Sequence, residues 1–180
     1  MLWTKVLAID QSSTTSGYAF LEDKELVKYG TFYSRPNYAI KFSNKVKRLI
    51  DYFKPDIVVW EDLKGNRNVR TVRMLAEVTG ILRLICEEKN MEYREYIPIS
   101  VKAKVVKKKG SGDRGRKTKM DLAEEICALY GITLPSGVFG KTKTGLIKIR
   151  EQHEFFNITD AIALGLYYFL MEEKTLVSLS

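Results

Sequence analysis

Three strand-like runs follow one another across residues 5–33 with only short polar breaks, and after them strand and helix patterns alternate. That order constrains the fold more than any other feature of the chain. "KVLAIDQ" is a short Val/Leu/Ile run of the kind that makes a buried strand. "GYAFLEDKELVKYGTFY" holds two more, joined by the polar "EDKE" of a hairpin connection. Three such strands in succession predict an antiparallel meander. The period then changes. Ala39, Phe42, Val46, Leu49, Ile50 and Phe53 recur at helical spacing until Lys54-Pro55 stops them. "DIVVWED" returns to a strand that ends on acids. "RTVRMLAEVTGILRLICEEKN" is a long helix with Leu75, Ala76, Thr79, Leu82, Ile85 and Cys86 on its inner face. Gly80 stands in mid-helix, where it costs about 1 kcal/mol against alanine and would serve a close helix–sheet approach. "EYREYIPI" is a fifth strand, stopped by Pro98. The order β-β-β-α-β-α-β-α-α-α predicts an α/β fold, a mixed five-stranded sheet with helices on both faces. No repeat or linker interrupts it, so residues 1–180 read as one domain.

The acids fall where elements end. Asp10 closes the first strand and is followed by "QSSTTSG", a run of amide and hydroxyl residues ending in glycine. An acid in that setting is a turn residue, a phosphate-site residue or a metal ligand. Glu61 and Asp62 close the fourth strand, and Asp160 introduces the apolar run "AIALGLYYF". If the first and fourth strands are parallel neighbours, Asp10 and Glu61 share a sheet edge, and a packed helix can add Asp160. Carboxylates brought together repel unless a cation lies between them, and oxygen-only clusters favour Mg²⁺ or Mn²⁺. Asn157 and Asp160 also have the spacing of an N-cap and its third helical residue, which would start the last helix at Asn157. "PSGVFGKTKTGLIKIREQHEF" before it reads as loop, with a weak hairpin at most.

Thirty Lys and Arg against 22 Asp and Glu leave a net charge of +8, which suits a polyanionic partner such as nucleic acid. The excess is concentrated in "VKAKVVKKKGSGDRGRKTK", where Lys102, Lys104, Lys107, Lys108, Lys109, Arg114, Arg116, Lys117 and Lys119 meet little acidic compensation. Gly110, Gly112 and Gly115 make that segment adaptable, and such a density can follow a phosphate backbone. A solvated charged face is the plain alternative. Cys86 and Cys127 sit in apolar helical patterns and read as buried free thiols of a reducing compartment, the cytoplasm. His153 is the only histidine, which excludes a zinc site built on several. No run reaches the ~18 apolar residues of a membrane span, and Lys5 leads straight into a strand rather than a signal peptide.

Taken together, these stretches resemble the RuvC-like Holliday junction resolvases. "AIDQSSTTSGYAF" is similar to that family's first strand and turn, with the aspartate at Asp10. "KPDIVVWED" is similar to the strand that delivers its catalytic glutamate, at Glu61. "RTVRMLAEVTGILRLICEEKNMEYREYIPISVKAK" resembles its next helix, strand and Pro-x-x-Val-Lys segment, with Gly80 and Lys102 at matching positions. "GSGDRGRKTKMDL" resembles its glycine-rich basic turn with Lys119, and "NITDAIALGLYYF" its last helix with the final acid at Asp160. The resemblance implies an RNase H-like fold, a homodimer and paired nicking of four-way DNA junctions with Mg²⁺ or Mn²⁺. It makes Asp10, Glu61 and Asp160 holders of two ions, and Lys102 and Lys119 contacts to phosphate or supports of the transition state.

The chain also departs from the family pattern. Asn157 stands where an Asp or His is usual, which leaves it as a neutral metal ligand or passes that task to His153 or Glu154. Lys64 stands where bacterial members carry an aromatic, and residues 135–156 look like an insertion. A compact variant of this kind is what a phage-encoded resolvase, working in its host's cytoplasm, would look like. The alternatives are a YqgF-like RNA-processing nuclease and a catalytically impaired branched-DNA-binding protein. A sugar kinase of the actin-like superfamily shares the opening stretch but needs a second copy of the domain, for which the chain is too short.

Overall fold

The computed structural model describes residues 3–63, 69–107, 115–133 and 146–178. The element order is the expected one. β1 (Lys5–Asp10), β2 (Thr15–Glu22) and β3 (Glu25–Tyr33) form the meander, followed by α1 (Tyr38–Phe53), β4 (Ile57–Glu61), α2 (Val69–Glu88) and β5 (Glu92–Tyr96). Three helices complete the chain: α3 (Pro98–Val105), α4 (Lys119–Tyr130) and α5 (Leu146–Ser178). The strands form one sheet in the order β3-β2-β1-β4-β5. β1 is antiparallel to β2 and parallel to β4, and β4 is parallel to β5, so the sheet is mixed. Asp23 and Lys24 turn β2 into β3 with φ of 44° and 75°, the left-handed pair that two-residue hairpins favour.

Strand alternation sorts side chains between two cores. Leu7, Ile9, Val58 and Trp60 face α1 and α2, where Phe42, Val46, Leu82 and Ile85 complete one cluster. Val6, Ala8, Ile57 and Val59 face the other side, where they meet Val101, Leu122, Ile126 and the α5 run Ala161, Ile162, Ala163, Leu164. Continuing that alternation by one step puts Asp10 and Glu61 on the α5 side. Gly17, opposite Asp10 in the β1–β2 ladder, lets α5 come down onto the sheet. A Cβ there would stand 2.0 Å from the Asn157 carbonyl oxygen and 2.4 Å from its carbon.

Several local expectations change. α5 begins at Leu146, so Asn157 is a mid-helix residue and not an N-cap. Residues 146–155, read as loop, fall within its first three turns; positions 134–145 lie outside the described residues. The helix runs through a sequence that mimics a cap. The start of the basic run is ordered, as α3. Ala39 and Ala76 are exposed, and Val78 takes the buried place on α2. Gly80 is exposed as well, and an added Cβ would meet nothing within 4 Å. It therefore serves no close approach to the sheet. Gly80→Ala is expected to raise the midpoint of thermal unfolding by roughly 2–4 °C, the equivalent of about 1 kcal/mol for a chain of this size. A lowered midpoint would mean that this face of α2 is covered.

Cys86 and Cys127 are buried and unpaired. No helix among the described residues is long and apolar enough to cross a membrane.

Candidate active site

The first two acids owe their positions to the parallel β1–β4 pair. Its register runs from Val6 opposite Ile57 to Ile9 opposite Trp60, so Asp10 and Glu61 emerge side by side where both strands end. α5 brings Asp160 over the same edge, where it is 4 % exposed. The arrangement is electrostatically strained. Burial, then Asp160, then Glu61 hold the Asp10 carboxyl well above the usual carboxylate range, and Lys119 and Lys102 pull it back. Burial and the Asp160 charge push Glu61 up to about 7, against the same two lysines. Desolvation disfavours each charge, and each neighbouring carboxylate adds to the cost.

Two lysines answer these charges. Lys119 is placed by the start of α4: Thr118 caps the helix, its hydroxyl accepting from the Asp121 N–H, while Asp121 accepts from the Thr118 N–H. The first helical residue is then Lys119, whose ammonium donates to Asp160 Oδ2 at 2.6 Å. Its side chain is 54 % exposed, so one side of the cation remains open to solvent. Burial lowers the affinity of Lys119 for its proton, but Asp160, Asp10 and Glu61 together raise it above the ordinary value. Lys102, on α3, is felt by both Asp10 and Glu61.

Among the described residues, the remaining basic side chains do not share one face. Lys104 is two residues from Lys102 on a helix, about 200° around it. With Lys107 and Lys24 it lines a cavity of about 340 Å³ floored by Leu129, Leu166 and Leu170. That cavity adjoins the β2–β3 turn, the end of the sheet opposite Asp10. Lys117 donates to the Ala103 and Val106 carbonyls and so closes the C-terminal end of α3. Arg116 is exposed. Lys108, Lys109 and Arg114 lie outside the described residues, as does Lys64.

Asn157, His153 and Asp160 fall on one stripe of α5, at i+4, i and i+7. The Asn157 amide donates to the Thr15 carbonyl at 2.8 Å, tying α5 to the start of β2. His153 is exposed and about 10 Å along the helix from Asp160. Glu154 is rotated off the stripe. Asn157 is thus the nearest of the three to Asp160.

Divalent cations fit the donor set. All three acids offer oxygen, and Asp160 Oδ1 is buried with no hydrogen-bond partner. The Lys119 ammonium already holds the other oxygen of that carboxylate. Among the described residues no group of three acidic, histidine or cysteine side chains is arranged to hold a metal ion as it stands.

Sequence pattern does not single out Gln11. It is buried, and its amide reaches the backbone of Glu61. Its partner is a main-chain group 50 residues away, which leaves no side-chain pattern to read.

A family model described as crossover junction endodeoxyribonuclease RuvC matches residues 6–129. The matched span includes Asp10, Glu61, Lys102 and Lys119 and stops short of Asp160. Among curated relatives, the RuvC of Syntrophomonas wolfei is 27% identical over 140 residues, covering 73% of this chain and 80% of its own. That of Finegoldia magna is 30% identical over 140 residues, covering 73% and 84%. In fold, the chain is similar to Thermus thermophilus RuvC solved with a Holliday junction substrate, at TM-score 0.69 and 15% identity over 94% of this chain and 96% of that one. It is also similar to a fowlpox virus resolvase solved with Holliday junction DNA, at TM-score 0.56 and 15% identity over 93% and 98%. The fold is thus the RNase H-like one of these enzymes.

Proposed function

Because the chain belongs to the RuvC family of crossover junction endodeoxyribonucleases, we propose that it is a divalent-metal-dependent endonuclease that nicks four-way DNA junctions. The observation that supports this most directly is the convergence of Asp10, Glu61 and Asp160, from three separate elements, beside Lys102 and Lys119. In the reaction, water adds to phosphorus as one P–O bond breaks, leaving a hydroxyl end and a phosphate monoester end. Asp10, Glu61 and Asp160 would hold Mg²⁺ or Mn²⁺, two ions in this reading, with Asn157 the neutral neighbour on the same helix. When bound, such ions stabilise negative charge on the attacking and leaving oxygens.

The chain's own groups do the rest. The β1–β4 ladder fixes two acids relative to each other before substrate arrives. Lys119, tethered by Asp160 and open on one side, presents a fixed positive charge to a phosphate, and Lys102 adds a second. A homodimer would place two such sites on the two strands of one junction, giving paired nicks. A phage-type origin agrees with Asn157 standing where an Asp or His is usual.

Nicking assays on synthetic four-way, fork and linear duplexes, with Mg²⁺, Mn²⁺ or EDTA, test the reading. Cleavage of the four-way junction that needs metal and spares the linear duplex is expected. Equal cleavage of all three DNAs, or cleavage of RNA alone, would overturn it. The same substrates separate the lysines. Lys102→Gln is expected to reduce the slope of log affinity against log salt by about 0.9 for each phosphate that is no longer neutralised. Lys104→Gln, on the opposite side of α3, is expected to leave that slope unchanged. The reverse pattern would move the DNA path to the other end of the sheet.

A further inference from the structure

The β1–β4 ladder ends one residue too early for Glu61. Its last backbone pair is Ile9 with Trp60. On its other side Glu61 is held by β5, opposite Tyr96, and the next N–H, of Asp62, donates to the Tyr96 carbonyl at 2.8 Å. On the β1 side the backbone pairing does not extend to Glu61, and a side chain takes over. Gln11 Nε2 donates to the Glu61 carbonyl at 2.6 Å, and the Glu61 N–H donates to Gln11 Oε1 at 3.3 Å. The carboxamide thus supplies one donor and one acceptor to the same residue, as a neighbouring strand would.

The third contact locks this rung from behind. Gln11 Nε2 also lies 3.4 Å from Thr79 Oγ1, and Thr79 is a fully buried residue of α2. Alternation along β1 sends Asp10 toward α5 and Gln11 toward α2. One residue therefore carries a charge into the site, and the next ties the neighbouring strand from the opposite face.

We propose that Gln11 is a positioning residue for Glu61, fixing the distance between the Asp10 and Glu61 carboxylates by continuing the β1–β4 ladder through its side chain. The assignment rests on the reading of Glu61 as a cation-holding residue. Glu61 and Asp10 repel each other, and beyond the Ile9–Trp60 pair this rung is what holds Glu61 itself on the β1 side, so without it the geometry for cation binding widens. A partner that orients a ligand in this way typically controls metal affinity or activity by about 10–100-fold.

The test uses the whole chain as Gln11→Met, which keeps the shape without the polar atoms, and as Gln11→Glu, which keeps the acceptor but loses the donor to the Glu61 carbonyl. Calorimetric titration with Mn²⁺ in the absence of DNA gives one readout, and the kcat and KM of junction nicking give another. The expected result is a rise in the Mn²⁺ dissociation constant of about 10-fold or more, with a parallel fall in kcat and KM within about twofold of wild type. Each variant is repeated with Gly80→Ala, which adds stability away from the site. Losses that persist in that background support positioning. Mn²⁺ affinity and kcat within about twofold of wild type, or restored by Gly80→Ala, would overturn it. Wild-type protein that binds Mn²⁺ but nicks no branched DNA would sink the proposed function, while the titration still decides the role of Gln11.

Discussion

Asp10→Asn is expected to abolish junction nicking and, at the same time, to make the metal-free protein more stable. The two effects have one cause. Asp10 is held among Asp160 and Glu61 in a buried setting that opposes its charge. The amide keeps the shape and removes the charge, so desolvation and repulsion both fall. With EDTA present the unfolding midpoint should rise, by about 2–4 °C for each kcal/mol relieved. The same change removes a ligand for the divalent cation, and the nicking rate should fall by at least the ~10²–10³ that one preorganised electrostatic contact is worth. Junction binding should persist or tighten, because a negative charge facing phosphate has gone. Melting curves with and without Mg²⁺ give a further check: added Mg²⁺ should stabilise wild type and leave the variant nearly unmoved. Unchanged nicking by Asp10→Asn would remove this carboxylate from the site altogether.

Gly17→Ala is expected to be nearly as damaging, although Gly17 carries no chemistry. Its added Cβ would fall 2.0 Å from one backbone oxygen of α5 and 3.0 Å from the Ile158 nitrogen. Neither atom can rotate away as a side-chain tip can, so the helix itself must retreat. Asn157 is one turn from Asp160, and the acid retreats with it. A misplacement of about 1 Å at a reacting centre can cost about a hundredfold in rate. The overpacked contact should also cost about 1–3 kcal/mol of stability. Measured together, nicking rate and melting midpoint separate the two consequences. Gly17→Ala with wild-type activity and stability would show that α5 does not sit against β2 as described.

The elements were legible because their apolar residues keep a strict period. β1 and β4 are short Val/Leu/Ile runs, and the meander announces itself through "EDKE". Asp10, Glu61 and Asp160 could be proposed because each stands at a change of pattern. What failed did so for physical reasons. Asn157 and Asp160 carry the residue types of a helix start, and cap chemistry is identical whether the helix begins there or runs through. Gly80 looked like a packing glycine because sequence shows the missing side chain but not which side of the helix it faces. Lys102 and Lys104 are near neighbours in sequence, yet α3 sets them on opposite sides, a separation that a run of charges does not reveal. Gln11 was invisible because it binds main chain, which every residue possesses.

The ribosome releases β1 and β4 well before α5. At about 5–20 residues per second, Asp160 emerges roughly 8–30 s after Asp10. Until then the half-made sheet carries Asp10 and Glu61 with neither the third acid nor the helix that covers them. On the proposed reading, a nascent chain of this kind holds only two of the three acids that cutting requires. Because the helix that supplies Asp160 also covers the sheet around β1 and β2, the site proposed for cutting is complete only when folding is. On that reading, carrying the third acid on α5 makes completion of the fold a condition of cutting, with no inhibitor needed.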